Sequence, residues 1–253
     1  MKLLTLARDL RRRRARERHR LFVAEGVRAV DELLRSDLAV QGVLVSPQLS
    51  AASRAAIAAV ASVRGVTLTE LDERDFASAA DTDSPQGVLA VGEVPTRSLS
   101  ELALPATARL VLLDGVQDPG NVGTILRTSA ALGAAATLAL PGTVDLWNAK
   151  VVRSAMGALF HHLALSCTWD ELDSFLVKAG AELWGADAAG EPVDRSRGAR
   201  PARLALAVGN EGAGLSSDAT ARARRLVGLP IASQIESLNV AVATGILLYE
   251  LRP

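Results

Sequence analysis

The chain of 253 residues has one cysteine, Cys167, and three histidines, His19, His161 and His162. A lone cysteine excludes an internal disulfide framework and any cysteine-based zinc cluster. So few histidines give no reason to expect a metal site. Lysine is reduced to Lys2, Lys150 and Lys178, and aromatic residues to 3%. No uninterrupted apolar run approaches the ~18 residues of a membrane-spanning helix, so no membrane association is expected. A G-x-G-x-x-G fingerprint is missing, and with it the main support for a dinucleotide-dependent oxidoreductase. Arginine stands where a secretory signal needs its apolar stretch, so a cytoplasmic location is expected.

Apolar residues make up 49% of the chain, enough for a sizeable core in one large or two small domains. Basic and acidic residues number 28 each, yet they are unevenly placed. Residues 1–20 hold nine basic groups against Asp9 and Glu17, and the remainder holds nineteen against twenty-six. A basic arm on an acidic body points to a polyanion, because guanidinium forks pair with phosphates. A solvated arginine-rich helix is the plainer reading of the arm. On the first reading, Arg8, Arg11, Arg12, Arg13, Arg14 and Arg16 are the candidates for binding nucleic acid.

Period and turn signals divide the chain. Residues 7–20 read as an exposed basic helix. Alternating short strands and helices from 21 to 94 describe a small α/β domain, and the proline-bearing stretch 95–108 reads as a linker. From Arg109 onward, strands that are largely apolar (109–113, 136–140, 182–185, 203–208, 225–229) alternate with helices. This predicts a parallel sheet covered on both faces. Residues 186–202 read as a polar loop. Trp147, Trp169 and Trp184 read as packing residues, His161 and His162 as structural, and Cys167 as a small buried side chain.

Ligands of open parallel sheets bind beyond the carboxyl ends of strands, and three such ends are unusual. In DGVQDPGNVGTILRTSAALG (114–133), Asp118 is a natural N-cap and Pro119 a first helical residue. Free N–H groups there favour an anion. Arg127 lies about 140° around the helix from Val122, from ~100° per residue, and so leaves the buried face. In GNEGAG (209–214), three glycines in six residues mark a sharp turn or a close ligand approach. In LPIASQIESLNVAVATGILLYEL (229–251), Ser237 and Asn239 open a long apolar helix. That helix is expected in the core or against a second subunit. Each loop alone is also compatible with an ordinary turn or cap.

Together the three segments, in this order, resemble the motifs of the SpoU (TrmH-like) RNA ribose 2′-O-methyltransferases. KVVRSAMGALFH (150–161) resembles that family's intermediate segment. RLFVAEGVRAVDELL and SPQGVLAV resemble its N-terminal substrate-binding domain. The resemblance implies an RNA-binding domain at 1–94 and a catalytic α/β domain at 109–253 with a deep trefoil knot. It also implies S-adenosylmethionine as cofactor, no metal, and a homodimer acting on RNA, with ribosomal RNA favoured over tRNA. Cofactor contacts fall on Gly209, Leu229, Ile231 and Leu238. Catalytic positions fall on Arg127, Asn121, Glu211, Ser237 and Asn239. A guanidinium is a poor base, so Arg127 is expected to bind phosphate and orient the 2′-hydroxyl. Anchoring of loop backbone or of Asn121 by Glu211 is ranked above a base role. The chain departs from the family at Ser233, where glycine is frequent, at Ala241, where serine is, and at Leu229, where isoleucine is. A catalytically inactive RNA-binding protein of the same fold is the alternative from another class.

Overall fold

The computed structural model describes residues 3–196, 200–232 and 234–252. Lys2 of the basic arm and the departure at Ser233 lie outside the described residues. The chain forms two compact units, Met1–Thr96 with Trp147–His161, and Arg97–Leu146 with His162–Pro253.

The first unit opens with α1 (Leu3–Asp9) and α2 (Arg13–His19), followed by β1 (Leu21–Glu25), α3 (Val27–Arg35) and β2 (Val40–Val45). It continues through α4 (Ala51–Val63), β3 (Leu68–Glu70), α5 (Glu73–Ala79) and β4 (Val88–Glu93). The sheet order is β1-β4-β2-β3, with β4 antiparallel to both neighbours. The expected single exposed helix over 7–20 is corrected to two short helices that pack inward. Ala7 and Leu10 join Phe76, Leu44 and Leu89 in a core cluster. The buried Arg16 donates from Nη1 to the carbonyls of Leu10 (2.9 Å) and Arg11 (3.1 Å), pairing acceptors that the helix break releases.

The second unit starts with β5 (Ala108–Asp114), α6 (Pro119–Ala131) and β6 (Ala136–Ala139). The chain then enters the first unit through α7 (Ala149–Ser154) and α8 (Ala158–His161). There Trp147 and Phe160 lie 4.4 and 5.7 Å from the Phe22 ring. It returns as β7 (Ala164–Ser166), α9 (Trp169–Ala179), β8 (Glu182–Pro192) and β9 (Arg203–Gly209), then α10 (Ser217–Arg222), β10 (Arg225–Gly228) and α11 (Val240–Glu250). These six strands are all parallel, in the order β10-β8-β9-β5-β6-β7, as their largely apolar composition predicts. Every residue of β5 is buried.

The polar loop expected at 186–202 is partly strand, since β8 runs to Pro192. Its pairing with β10 jumps from Gly185–Leu226 to Glu191–Val227, so residues 186–190 have no partner on that neighbour. Helix α6 starts where the sequence places it, with the Asp118 side chain accepting from Asn121 N–H and Pro119 in the first turn. Helix α11 packs on α6. A methyl at Gly245 would come within 3.3 Å of Thr128 Cγ2, so the two backbones run close. Thr244, Leu247 and Leu248 are buried, while Val242, Ile246 and Tyr249 form an exposed apolar face.

Candidate active site

The three singled-out loops meet at one end of the parallel sheet. Asn210 bridges Gly214 in both directions, N–H to carbonyl, at 2.8 and 2.9 Å, which closes residues 210–214 into a tight loop. Gly209 is obligatory beneath it, because an added methyl would stand 2.2 Å from the Gly214 backbone. Asn210 Oδ1 accepts from the N–H groups of Gly212 and Ala213, and Nδ2 donates to the Gly115 carbonyl at 3.0 Å. Sequence reasoning does not single out Asn210; its place between Gly209 and Glu211 is the available signal.

The closed loop presents Glu211 to the start of α6. Its carboxylate accepts from Asn121 Nδ2 (2.9 Å), Asp118 N–H (3.1 Å) and Gln117 N–H (3.2 Å). The anion expected at this helix start is thus a side chain of the same unit. Burial alone would raise the Glu211 carboxyl. The hydrogen bonds from Asn121 and from the backbone N–H groups of Glu211, Asp118 and Gln117 prevail and hold it below its ordinary value. A carboxylate so engaged is a weak base and a good anchor, and it anchors both loop backbone and Asn121.

The polarity of these bonds propagates. With Nδ2 turned to Glu211, Asn121 offers Oδ1 to Asn239 Nδ2 at 2.9 Å. Asn239 then aims its own Oδ1 at Ala241 and Val242 N–H and caps α11. One charged acceptor therefore fixes the orientation of two amides, the three residues coming from three distant segments.

Beside this network lies a cavity of about 510 Å³, within the range of small-molecule sites. Gly209, Leu229, Ile231 and Leu238 all line it, as do Ser237 and Asn239. Among the described residues, its only charged lining residues are Asp187 and Glu211. Ser237 is exposed at the rim and stands outside the amide network. Arg127 is not brought to the cavity. It lies on the exposed face of α6 with no side-chain partner among the described residues. The departure at Ala241 is a buried residue in the first turn of α11.

Of the other residues set aside from sequence, Trp184, Cys167 and His162 are buried. Trp184 is fully buried. Burial pushes the Cys167 thiol up to about 12, with Glu171 adding to it. His162 is buried and bonded to Thr137 Oγ1 at 2.9 Å.

In the first unit the basic candidates divide. Arg8 is tied to Ser78 Oγ (2.6 Å) and Asp75 (2.8 Å), Arg13 to Glu17 (2.7 Å), and Arg16 is buried. Arg12 lies 3.7 Å from Asp9. Arg11 and Arg14 are exposed, with no side-chain bond among the described residues.

Residues 108–249 match the SpoU rRNA Methylase family, and residues 5–90 match the MRM3-like substrate binding domain. This chain belongs to the SpoU family. It is 36% identical over 248 residues to 23S rRNA (guanosine(2553)-2′-O)-methyltransferase RlmP of Bacillus subtilis, covering 96% of this chain and 93% of that one. An AdoMet-bound rRNA methyltransferase from Sinorhizobium meliloti has a similar crystal structure. Its TM-score is 0.86 at 29% identity, over 99% of this chain and 94% of that one. The SpoU methyltransferase AviRb of Streptomyces viridochromogenes, solved with AdoMet, gives a TM-score of 0.85 at 27% identity over 99% and 97%.

Proposed function

We propose that this SpoU family member transfers a methyl group from S-adenosylmethionine to a ribose 2′-hydroxyl of ribosomal RNA. The observation that carries this reading is the convergence of the three loops. The Glu211–Asn121–Asn239 network stands at the edge of a cavity whose described lining holds no Lys or Arg. A cavity of this size with apolar walls and no cation among its described lining residues suits an adenosyl sulfonium. Gly209, Leu229, Ile231 and Leu238 would hold the cofactor, whose sulfonium supplies an electrophilic methyl when bound.

The chain's own residues do the positioning. Asn239, locked by Asn121 and Glu211, sets the start of α11 at the cavity rim, and Ser237 offers a hydroxyl there. Arg127, exposed and always charged, binds the phosphate next to the target ribose and orients the 2′-hydroxyl, whose proton leaves to that phosphate or to water. Glu211 is the anchor of this arrangement.

The domain division follows the same reading, with RNA substrate recognition in 1–94, a linker at 95–108 and transfer in 109–253. The catalytic domain would carry the family's trefoil knot. The exposed Val242, Ile246 and Tyr249 face of α11 fits a homodimer in which the second subunit completes the RNA site. Arg11, Arg12, Arg13 and Arg14 would meet RNA phosphates, with Arg8 and Arg16 serving mainly to hold α1 and α2 in place. No helix among the described residues is long and apolar enough to cross a membrane, and a cytoplasmic site of action accompanies an rRNA substrate. Ribosomal RNA is favoured over tRNA because the RlmP likeness spans the substrate-binding region as well as the catalytic one.

The test is a map of 2′-O-methylation across total RNA from cells with and without the gene, beside calorimetric binding of S-adenosylmethionine to the purified protein. Loss of one rRNA methyl mark together with measurable binding supports the reading. An unchanged map from a protein that binds no cofactor removes it.

A further inference from the structure

Among the described residues two acidic ones line the cavity, Asp187 and Glu211, and they differ in what their carboxylates have left to give. Glu211 accepts three hydrogen bonds from its own unit. Asp187 accepts one, from Ala189 N–H to Oδ1 at 2.7 Å, and its Oδ2 has no partner among the described residues. Asp187 belongs to the 186–190 stretch that loses its pairing with β10. Packing holds that stretch in place of pairing. A methyl at Gly228 would come within 2.6 Å of the Asp187 carbonyl oxygen, and one at Gly190 within 2.7 Å of the Val227 carbonyl carbon. Asp187 is therefore pressed against β10 beside Leu229.

We infer that Asp187 recognises the sugar of the adenosyl donor, its carboxylate accepting from the vicinal ribose hydroxyls. This rests on the cofactor reading above. Leu229, Ile231 and Leu238 give the cavity an apolar wall suited to adenine, and the group bonded to adenine is the ribose. Its paired hydroxyls need acceptors, and a carboxylate already fixed through one oxygen supplies them at little ordering cost. Asp187 follows the paired part of β8, which β9 separates from β5 in the sheet. It thus stands away from α6 and Arg127, on the side for the donor rather than the RNA.

The experiment is calorimetric binding to the full chain of S-adenosylhomocysteine and its 2′-deoxy and 3′-deoxy analogues, for wild type, Asp187→Ala and Asp187→Asn. Wild type is expected to lose roughly 10- to 100-fold in affinity when a hydroxyl is removed, the scale of a hydrogen bond to a charged group. Asp187→Ala should lose a similar factor for S-adenosylhomocysteine and become indifferent to the missing hydroxyl. Asp187→Asn, which keeps one acceptor oxygen, should fall between, and it carries the test if the alanine variant folds poorly. Unchanged affinity in Asp187→Ala, or a variant that rejects the deoxy analogues as wild type does, overturns the assignment alone. Wild-type protein that binds none of the three overturns the cofactor reading and this assignment with it.

Discussion

Asn121 and Arg127 lie six residues apart on one helix and could hardly be more differently treated by the fold. Both hydrogen-bonding ends of the Asn121 amide are committed, one to Glu211 and one to Asn239. The Arg127 guanidinium meets nothing among the described residues. The contrast separates two kinds of work. Committed groups hold loops in register, and their loss is read first in stability and geometry. Open groups keep their hydrogen-bonding capacity for a ligand, and their loss is read in function with the fold intact.

The largest effect should come from the open group. Arg127→Ala should leave the melting temperature and cofactor affinity near wild type. Methyl transfer should fall roughly 100-fold or more, the scale of removing one charge-stabilising donor. Calorimetry beside a tritiated-methyl assay on RNA checks this, and full activity in the variant would break the contrast at its sharpest point.

Asn239 allows the committed side to be dissected. Its Oδ1 caps α11 and its Nδ2 holds Asn121. Asn239→Asp keeps a good cap but turns an acceptor toward Asn121 Oδ1. Stability should stay within about 0.5 kcal/mol of wild type while transfer drops by about 10-fold or more. Asn239→Ala loses the cap too and should cost about 1 kcal/mol in urea unfolding. If both variants unfold alike and transfer alike, the amide orientation carries no weight.

The part of this site written locally was legible in the sequence. Asp118, Pro119 and the apolar spacing of Val122, Ile125 and Leu126 delimit α6, because capping and periodicity act within a few residues. The pairing of Asn121 with Asn239 spans 118 positions and follows from strand order, which no local signal carries. Only the resemblance of the three motifs to the SpoU family implies, without the geometry, that those residues share a site. Elsewhere the local signal misled. The arginines of residues 8–20 suggested a solvated helix, yet Leu10 and the small Ala7 and Ala15 are buried and Arg16 serves backbone carbonyls. Ala-Asp-Ala-Ala-Gly at 186–190 has no strand former, so the continuation of β8 to Pro192 was hidden behind it.

The same contrast divides the arginine arm. Arg11→Ala and Arg14→Ala should weaken RNA binding with little change in stability. Each should reduce the slope of log affinity against log salt by about 0.7 to 0.9. Arg16→Ala should instead strand the carbonyls of Leu10 and Arg11 and lower stability by roughly 1–3 kcal/mol. Filter binding across a salt series, paired with thermal melts, separates the two. A salt slope that falls only in Arg16→Ala would reverse the assignment.

The last effect is a pH dependence from another committed group. Burial pushes the His162 imidazole down to about 4, and its ring is bonded to Thr137. An exposed histidine in the unfolded chain titrates near ~6.5. Between these values the unfolded chain holds a proton that the folded one does not, so stability rises with pH across the window. The contribution is whole above ~6.5 and is lost as pH falls toward about 4, with a ceiling of roughly 3 kcal/mol from the difference in proton affinity. Urea unfolding of wild type and His162→Asn at several values between pH 4.5 and 7 should show the steeper dependence in wild type. Parallel profiles would mean that His162 charges in place, and that burial does not commit this ring to its neutral form.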